Sequence, residues 1–343
     1  MNSNILKIEA GSIRQVANVL EQRHISGKIL YISDPVVDAL YGDIVRSQIE
    51  SIGPIKQEIV DNNTISYSMN VAERVIADEV KCIVAMGGGK VLDVCKYAAY
   101  IAKTSLLSIP TTAANDGLAS PVAVLKRQDD RPKSLGCAMP SMLLIDLDVI
   151  AAGPSQLIKA GIGDTISNYM ALQDWKLACD RGQDTMNEYA FLISQCALDS
   201  LMKSQYHSIN SDFIRVLVNS LVISGIAMNF TGNSRPVSGS EHLFSHALDY
   251  YCPQKNLHGI QVALGTIAVL KLIGRDYSQA LSYLRQFEVD VNPARLGIEE
   301  DVFVYCMQNA TQMRPNRYTY LNEARLDTAE LRGLYRQLVE ELS

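Results

Sequence analysis

The sequence predicts an α/β nucleotide-binding half, residues 1–152, followed by an all-α half, residues 153–343. Three observations carry that expectation. Short β-type runs alternate with helical patterns through the first half, as right-handed βαβ units on a parallel sheet require. Three consecutive glycines, Gly87, Gly88 and Gly89, close one of those β-type runs and open a helix. After 151–154 (AAGP) the strand-like runs stop and long helical patterns take over.

In chain order, 28–33 (KILYIS) reads as a strand and 36–52 as the helix behind it. A second pair follows at 55–60 and 68–79, and a third at 82–86 (CIVAM) and 90–103. Further strands are expected at 106–109 and 143–145, with 122–125 as a hairpin strand between them. The second half reads as helices at 155–180, 186–206, 212–229, 240–251, 258–274, 277–287 and 326–341. A cleft between the two halves is the default place for a ligand.

The chain has 343 residues, 48% hydrophobic and 20% charged, the composition of an ordinary globular protein with room for two cores. Its formal charge is −6, from 31 basic and 37 acidic residues, without blocks of like charge. That argues against a nucleic-acid or anionic-membrane partner. No uninterrupted apolar run reaches bilayer length, and the opening MNSNILKIEAG lacks a signal-peptide core. The seven cysteines are scattered and form no CxxC, as expected of small buried hydrophobes in a reducing, cytoplasmic setting.

The glycine turn, running into Lys90, lets backbone N–H groups approach an anion at a helix N-terminus, where the dipole favours phosphate. It is not a Walker A loop, because Val91 follows Lys90 where Ser or Thr is needed. Nor is it G-x-G-x-x-G, whose last position falls on Leu92. Asp93 and Lys96, one turn apart, are either a solvated pair or part of the cleft wall. Asp34, ending KILYISD, is either the acid that binds adenosine ribose hydroxyls or the N-cap before Pro35. The next β-type run leads into 108–121 (SIPTTAANDGLASP), a hydroxyl-rich loop with one carboxylate, Asp116, at the strand end where α/β sheets place ligand contacts.

Three of the five histidines fall within 238–261 (SGSEHLFSHALDYYCPQKNLHGIQ). His242 and His246 stand four apart and share a helix face. His258 follows a turn-like Cys252-Pro253-Gln254-Lys255-Asn256 and opens another helix. Imidazoles brought to one point by two helices suit a divalent metal.

The segments GGGKVLDVCK, SIPTTAANDGLASPVAV, GIGDTISN, NSRPVSGSEHLFSHALD and LHGIQVALG, in this order, resemble the sn-glycerol-1-phosphate dehydrogenase family. That family lies in the superfamily of iron-containing alcohol dehydrogenases, glycerol dehydrogenases and dehydroquinate synthases. The resemblance implies a dehydroquinate synthase-like fold and metal ligands at Asp164, His242 and His258. It implies a substrate role for His246, Asp116 and Asp164, with His246 and Asp116 in catalysis. It implies NAD(P) contacts at Gly87, Gly88, Gly89, Lys90, Thr111, Thr112 and Ser120. Arg235, in the matching NSRP segment, can make a bidentate phosphate contact, and Arg131 and Lys133 fall where the family is also basic.

The metal expected is zinc, with nickel and iron open to the same donors. The implied reaction is hydride transfer from NAD(P)H to dihydroxyacetone phosphate, giving sn-glycerol 1-phosphate. Two alternatives stay open. One is a dehydrogenase of the same fold for glycerol or a cyclitol or aminocyclitol ketone; the other is a dehydroquinate-synthase-like cyclase. A homodimer with a small-molecule substrate is expected. The stretch 314–320 (RPNRYTY) either closes the cleft or connects to the last helix.

Overall fold

The apolar runs of the first half become strands because their alternate side chains are buried on both sheet faces. The computed structural model describes residues 5–252 and 254–343; residues 1–4 and Pro253, part of the expected turn, lie outside the described residues. The chain divides into two units, Met1–Ala113 with Gly117–Pro154, and Ala114–Asp116 with Ser155–Ser343.

The first unit contains β1 (Ile5–Glu9), α1 (Val16–Gln22), β2 (Ile29–Ser33), α2 (Pro35–Glu50), β3 (Ile55–Ile59), α3 (Ile65–Ala77), β4 (Cys82–Gly87), α4 (Gly89–Ala102), β5 (Ser105–Pro110), β6 (Val122–Lys126), β7 (Pro132–Gly136), β8 (Met142–Asp146) and α5 (Leu147–Ala152). Six strands form a sheet in the order β1-β8-β5-β4-β2-β3, every neighbouring pair parallel, while β6 and β7 make a separate antiparallel ribbon.

Neighbouring side chains along a strand take opposite sides. Leu30, Ile32, Ile83 and Ala85 pack with Val71 and Val75 of α3 and Val94 and Ala98 of α4. Ile29, Tyr31, Val84 and Met86 pack with Val19 and Leu20 of α1 and Val45 and Ile49 of α2. Helices therefore cover both faces. The chain leaves β2 outward to β3, then returns to place β4 on the other side of β2. The ends of β2 and β4 are thus the topological switch point, where such sheets bind ligands.

The second unit is helical: α6 (Ser155–Asp180), α7 (Glu188–Met202), α8 (Ser211–Thr231), α9 (Ser240–Tyr251), α10 (His258–Leu272), α11 (Ser278–Gln286), α12 (Glu300–Asn309) and α13 (Thr328–Glu341). Helix α10 is the central one, buried from Gln261 to Leu270 and packed on α6 and α9. Helix α8 starts at an Asn210 cap, ends at left-handed Gly232, and packs on α6 and α7.

Helix α8 is 21 residues long and, by length and composition alone, apolar enough to cross a membrane, although Arg215, Asn219 and Ser220 interrupt its apolar run. Within its most apolar window 61% of residues are buried inside the protein, as in a core helix. Strands β1 and β7 and helices α1, α5 and α12 are additions to the elements expected. The seven cysteines are all free, and Cys196 is exposed.

Candidate metal centre

The geometry in the second unit begins with two glycines. A Cβ on Gly259 would sit 1.9 Å from the Ala160 carbonyl oxygen, and one on Gly163 would sit 2.3 Å from the Gly259 carbonyl oxygen. Helices α6 and α10 therefore touch backbone to backbone, a distance that only residues without side chains allow. Each glycine adjoins a candidate ligand, Asp164 on α6 and His258 on α10. The crossing brings Asp164 Oδ1 to 3.8 Å from His258 Nε2.

Helix α9 supplies the other imidazoles. Its first turn is anchored by Asp174 of α6, which accepts from the Ser240 N–H at 2.6 Å and the Ser240 hydroxyl at 3.0 Å. His242 and His246 project from one face, with ring centroids 6.2 Å apart, and His242 lies 4.9 Å from the His258 ring.

Hydrogen bonds fix the ring tautomers. His242 Nδ1 lies 2.8 Å from Glu241 Oε1, which also accepts from the Gly239 N–H at 2.7 Å. His258 Nδ1 lies 3.1 Å from Ser245 Oγ; that hydroxyl donates to Gln261 Oε1 at 2.7 Å, and Gln261 Nε2 donates to Asp249 Oδ1 at 3.2 Å. In both imidazoles the proton sits on Nδ1, leaving the Nε2 lone pair for a ligand. Ser245→Ala removes the acceptor that sets His258 and is expected to weaken metal affinity about tenfold, read by competition with a chelator.

Burial, then the neighbouring His258 and His246, push the His242 pKa well below its usual value, so its ring is neutral, the form that ligates. Burial, Asp116 and Glu241 push the Asp164 carboxyl well above the usual carboxylate range, a pressure that a bound cation relieves. Asp164 Oδ2 accepts from the Asp116 N–H at 2.9 Å. One donor atom from each of Asp164, His242 and His258 falls within 4.8 Å of the others. Tetrahedral ligands with bonds of about 2.1 Å stand about 3.4 Å apart, so small side-chain adjustments close the set. Two neutral imidazoles and one carboxylate fit a divalent ion and leave a coordination position over for a substrate.

His246 stands apart from that trio. Its Nε2 is buried and has no hydrogen-bond partner among the described residues. Burial, then Arg314 and His258, hold this ring neutral as well.

In the first unit the glycine turn caps the end of β4. Gly87 pairs with Pro110 across the sheet, and the Thr111 N–H donates to the Gly87 carbonyl at 3.1 Å, so the turn and the hydroxyl-rich loop share one sheet edge. A Cβ on Gly89 would meet nothing within 4 Å, and one on Gly88 would meet only Thr112 at 3.8 Å. The backbone there is open to a ligand. Asp34 caps α2 through Oδ1, which accepts from the Val36 and Val37 N–H groups, while Oδ2 lies beside Gly87 at the switch point. Capping therefore occupies one oxygen and leaves the other. Lys90 is exposed and donates to the Asp61 carbonyl. Ser120 is buried and donates to the Val122 carbonyl at 3.2 Å.

The sequence profile described as iron-containing alcohol dehydrogenase matches residues 7–154. The chain is 37% identical over 322 residues to a glycerol-1-phosphate dehydrogenase [NAD(P)+] of Hyperthermus butylicus, covering 93% of this chain and 92% of that one. It is 33% identical over 337 residues to the Methanothermobacter thermautotrophicus protein of the same name, covering 97% and 94%. This chain belongs to the glycerol-1-phosphate dehydrogenase family. A solved structure of a probable glycerol dehydrogenase from Sinorhizobium meliloti shares the fold, with TM-score 0.78 at 20% identity over 99% of this chain and 97% of that one.

Within this glycerol-1-phosphate dehydrogenase family member, two sequence expectations are corrected. Arg235 is 3% exposed; its Nε pairs with Asp184 at 2.9 Å, and its Nη2 donates to the Asp174 and Tyr318 carbonyls at 3.1 and 2.8 Å. That guanidinium ties α6 to the 318–320 segment, with Asp184 as its counter-ion. Arg235→Ala is expected to cost about 2–3 kcal/mol of stability, measured by urea unfolding, because a carboxylate partner and two carbonyls lose their donor. Asp93 and Lys96 are not a solvated pair: Asp93 is partly buried, 2.9 Å from the buried Lys96, which also donates to the Gly117 and Val122 carbonyls and pins the hydroxyl-rich loop. Lys133 lies on the mostly exposed β7, and Arg131 is exposed in the turn just before it.

Glu241, Ser245, Gln261 and Asp174, which orient the ligands or anchor α9, carry no signal in the sequence beyond their place next to the histidines.

Proposed function

We propose that this protein is a metal-dependent NAD(P)H oxidoreductase that interconverts dihydroxyacetone phosphate and sn-glycerol 1-phosphate. The observation that carries the proposal is the convergence of Asp164, His242 and His258 in a chain of the glycerol-1-phosphate dehydrogenase family. Asp164 and the Nε2 atoms of His242 and His258 would hold one divalent ion; zinc suits this donor set, as do nickel and iron. When bound, the ion supplies Lewis acidity toward the substrate oxygen, and the nicotinamide supplies the hydride.

The chain's own residues do the rest. Glu241 and Ser245 hold the ligating rings in their working tautomers. His246, kept neutral, accepts the substrate hydroxyl proton at Nε2 during alcohol oxidation and returns it during ketone reduction. Asp116, held at the cluster by its N–H bond to Asp164, orients a substrate hydroxyl. On the first unit, the N–H groups of Gly88 and Gly89 receive the pyrophosphate at the start of α4. Thr111, Thr112 and Ser120 contact the same cofactor, and the free oxygen of Asp34 meets the adenosine ribose.

The test is product identity. Dihydroxyacetone phosphate reduced with NADH is expected to yield a glycerol phosphate that an sn-glycerol-3-phosphate-specific dehydrogenase does not consume. A consumed product, or equal turnover of unphosphorylated dihydroxyacetone or a cyclic ketone, overturns the proposal; absence of steady NADH consumption points to cyclase chemistry.

A further inference from the structure

A phosphorylated ketone brings a nearly dianionic group, and the forked guanidinium is the side chain best matched to it. With Arg235 engaged elsewhere, the cations beside the histidines come from the segment after α12. The helical turn Ala310–Met313 packs on α9, and Arg314 follows it. Arg314 Nη1 donates to Ser234 Oγ at 2.8 Å, and Arg317 Nη2 reaches the same hydroxyl at 3.3 Å. Arg317 Nη1 also donates to the Ser238 carbonyl. Ser234 and Ser238 flank the turn Arg235–Val237 that leads into α9, the helix of His242 and His246.

Two guanidinium groups thus converge on one hydroxyl at the approach to the histidine helix. The hydrogen bonds of Arg317 go to neutral acceptors, and the Glu241 and Asp184 carboxylates act on it only through space. Burial, then Arg314 and Arg235, draw the Arg317 pKa down to about 9. Arg314 acts through space on His242, His246 and His258, and Arg317 on His242 and His246. Like charges held together in a partly buried site repel each other, and an anion placed between them relieves that repulsion.

We propose that Arg314 and Arg317 form the phosphate clamp of the substrate site, gripping the phosphate of the three-carbon ketone while its carbonyl end reaches the Asp164–His242–His258 cluster. The clamp rests on the functional reading above. It assigns 314–320 a role in substrate selection and moves phosphate recognition away from Arg235.

The experiment compares kcat/KM for dihydroxyacetone phosphate with that for dihydroxyacetone, in the metal-loaded wild type and in Arg314→Gln, Arg317→Gln and Arg314→Lys. Each Gln variant is expected to reduce the phosphate-to-unphosphorylated ratio about 10- to 100-fold, the range for a lost charged hydrogen bond, with Arg314→Lys recovering part of it. Competitive inhibition by inorganic phosphate should weaken in parallel. A general folding defect lowers both substrates together and leaves the ratio unmoved. Should Arg317→Gln fail to fold, phenylglyoxal labelling of the intact enzyme replaces it: inorganic phosphate is expected to protect Arg314 and Arg317, and unprotected labelling of both contradicts the clamp. A wild type that prefers the phosphate, with variants that keep the preference, overturns the clamp and leaves the functional reading standing. A wild type without that preference overturns the reading, and the clamp with it.

Discussion

His242→Ala is expected to release the divalent ion and lower kcat/KM for dihydroxyacetone phosphate by roughly four orders of magnitude, about 5–6 kcal/mol of transition-state stabilisation. His242 is 8% exposed, its Nδ1 proton is committed to Glu241, and its ring supplies one of three donors within 4.8 Å. Without it, the site keeps one imidazole and one carboxylate, too few for tight binding of such an ion. Metal content by mass spectrometry and steady-state kinetics check this together. His246→Ala provides the contrast. That variant is expected to retain the ion and lose turnover, because the His246 Nε2 handles a proton and lies outside the ligand trio. Equal metal loss in both variants would contradict that division of roles.

Gly259→Ala carries the second large effect. The added methyl would meet the Ala160 carbonyl oxygen at 1.9 Å. That atom is helix backbone and cannot rotate away, so α6 and α10 must separate. Overpacking of this kind costs about 1–3 kcal/mol, and more where the obstruction is backbone. Because the same crossing sets the 3.8 Å approach of His258 to Asp164, metal affinity should fall along with the unfolding midpoint. The expected result is loss of at least about 2 kcal/mol in urea unfolding, with metal binding weakened beyond that of Ser245→Ala. Wild-type stability would contradict the close crossing.

The two glycines also explain why part of the centre could be read in the sequence and part could not. His242 and His258 are visible because a four-residue spacing and a helix start mark them. Asp164 is not, since its nearness to His258 is produced by a helix crossing between segments far apart in the chain; only resemblance to the family selects it. Arg235 misleads for a related reason. A sequence displays its charge but not its burial, and the Asp184 carboxylate and the Tyr318 carbonyl that hold it come from other elements. Arg314 and Arg317 sit in an irregular stretch without periodicity, where local pattern gives no hint of what it faces.

The fold shows the same division. Strands β2, β4 and β8 are largely apolar runs buried on both faces, as is β5 apart from Ser105 and Ser108, and they stand out. Strand β1 is an edge strand with every position partly or fully exposed, and β7 begins at Pro132 and is mostly exposed, so neither carries that signal. Helix α12 (EDVFVYCMQN) mixes β-branched and aromatic residues over ten positions, and its period is too short to stand out.

The measurement that tests the central claim most directly is NADH oxidation driven by dihydroxyacetone phosphate, before chelation, after exhaustive chelation, and after zinc, nickel or iron is restored. The expected result is turnover that chelation abolishes and one of these ions restores, with no restoration in His242→Ala. Full turnover in metal-free protein would contradict a metal-dependent centre at Asp164, His242 and His258.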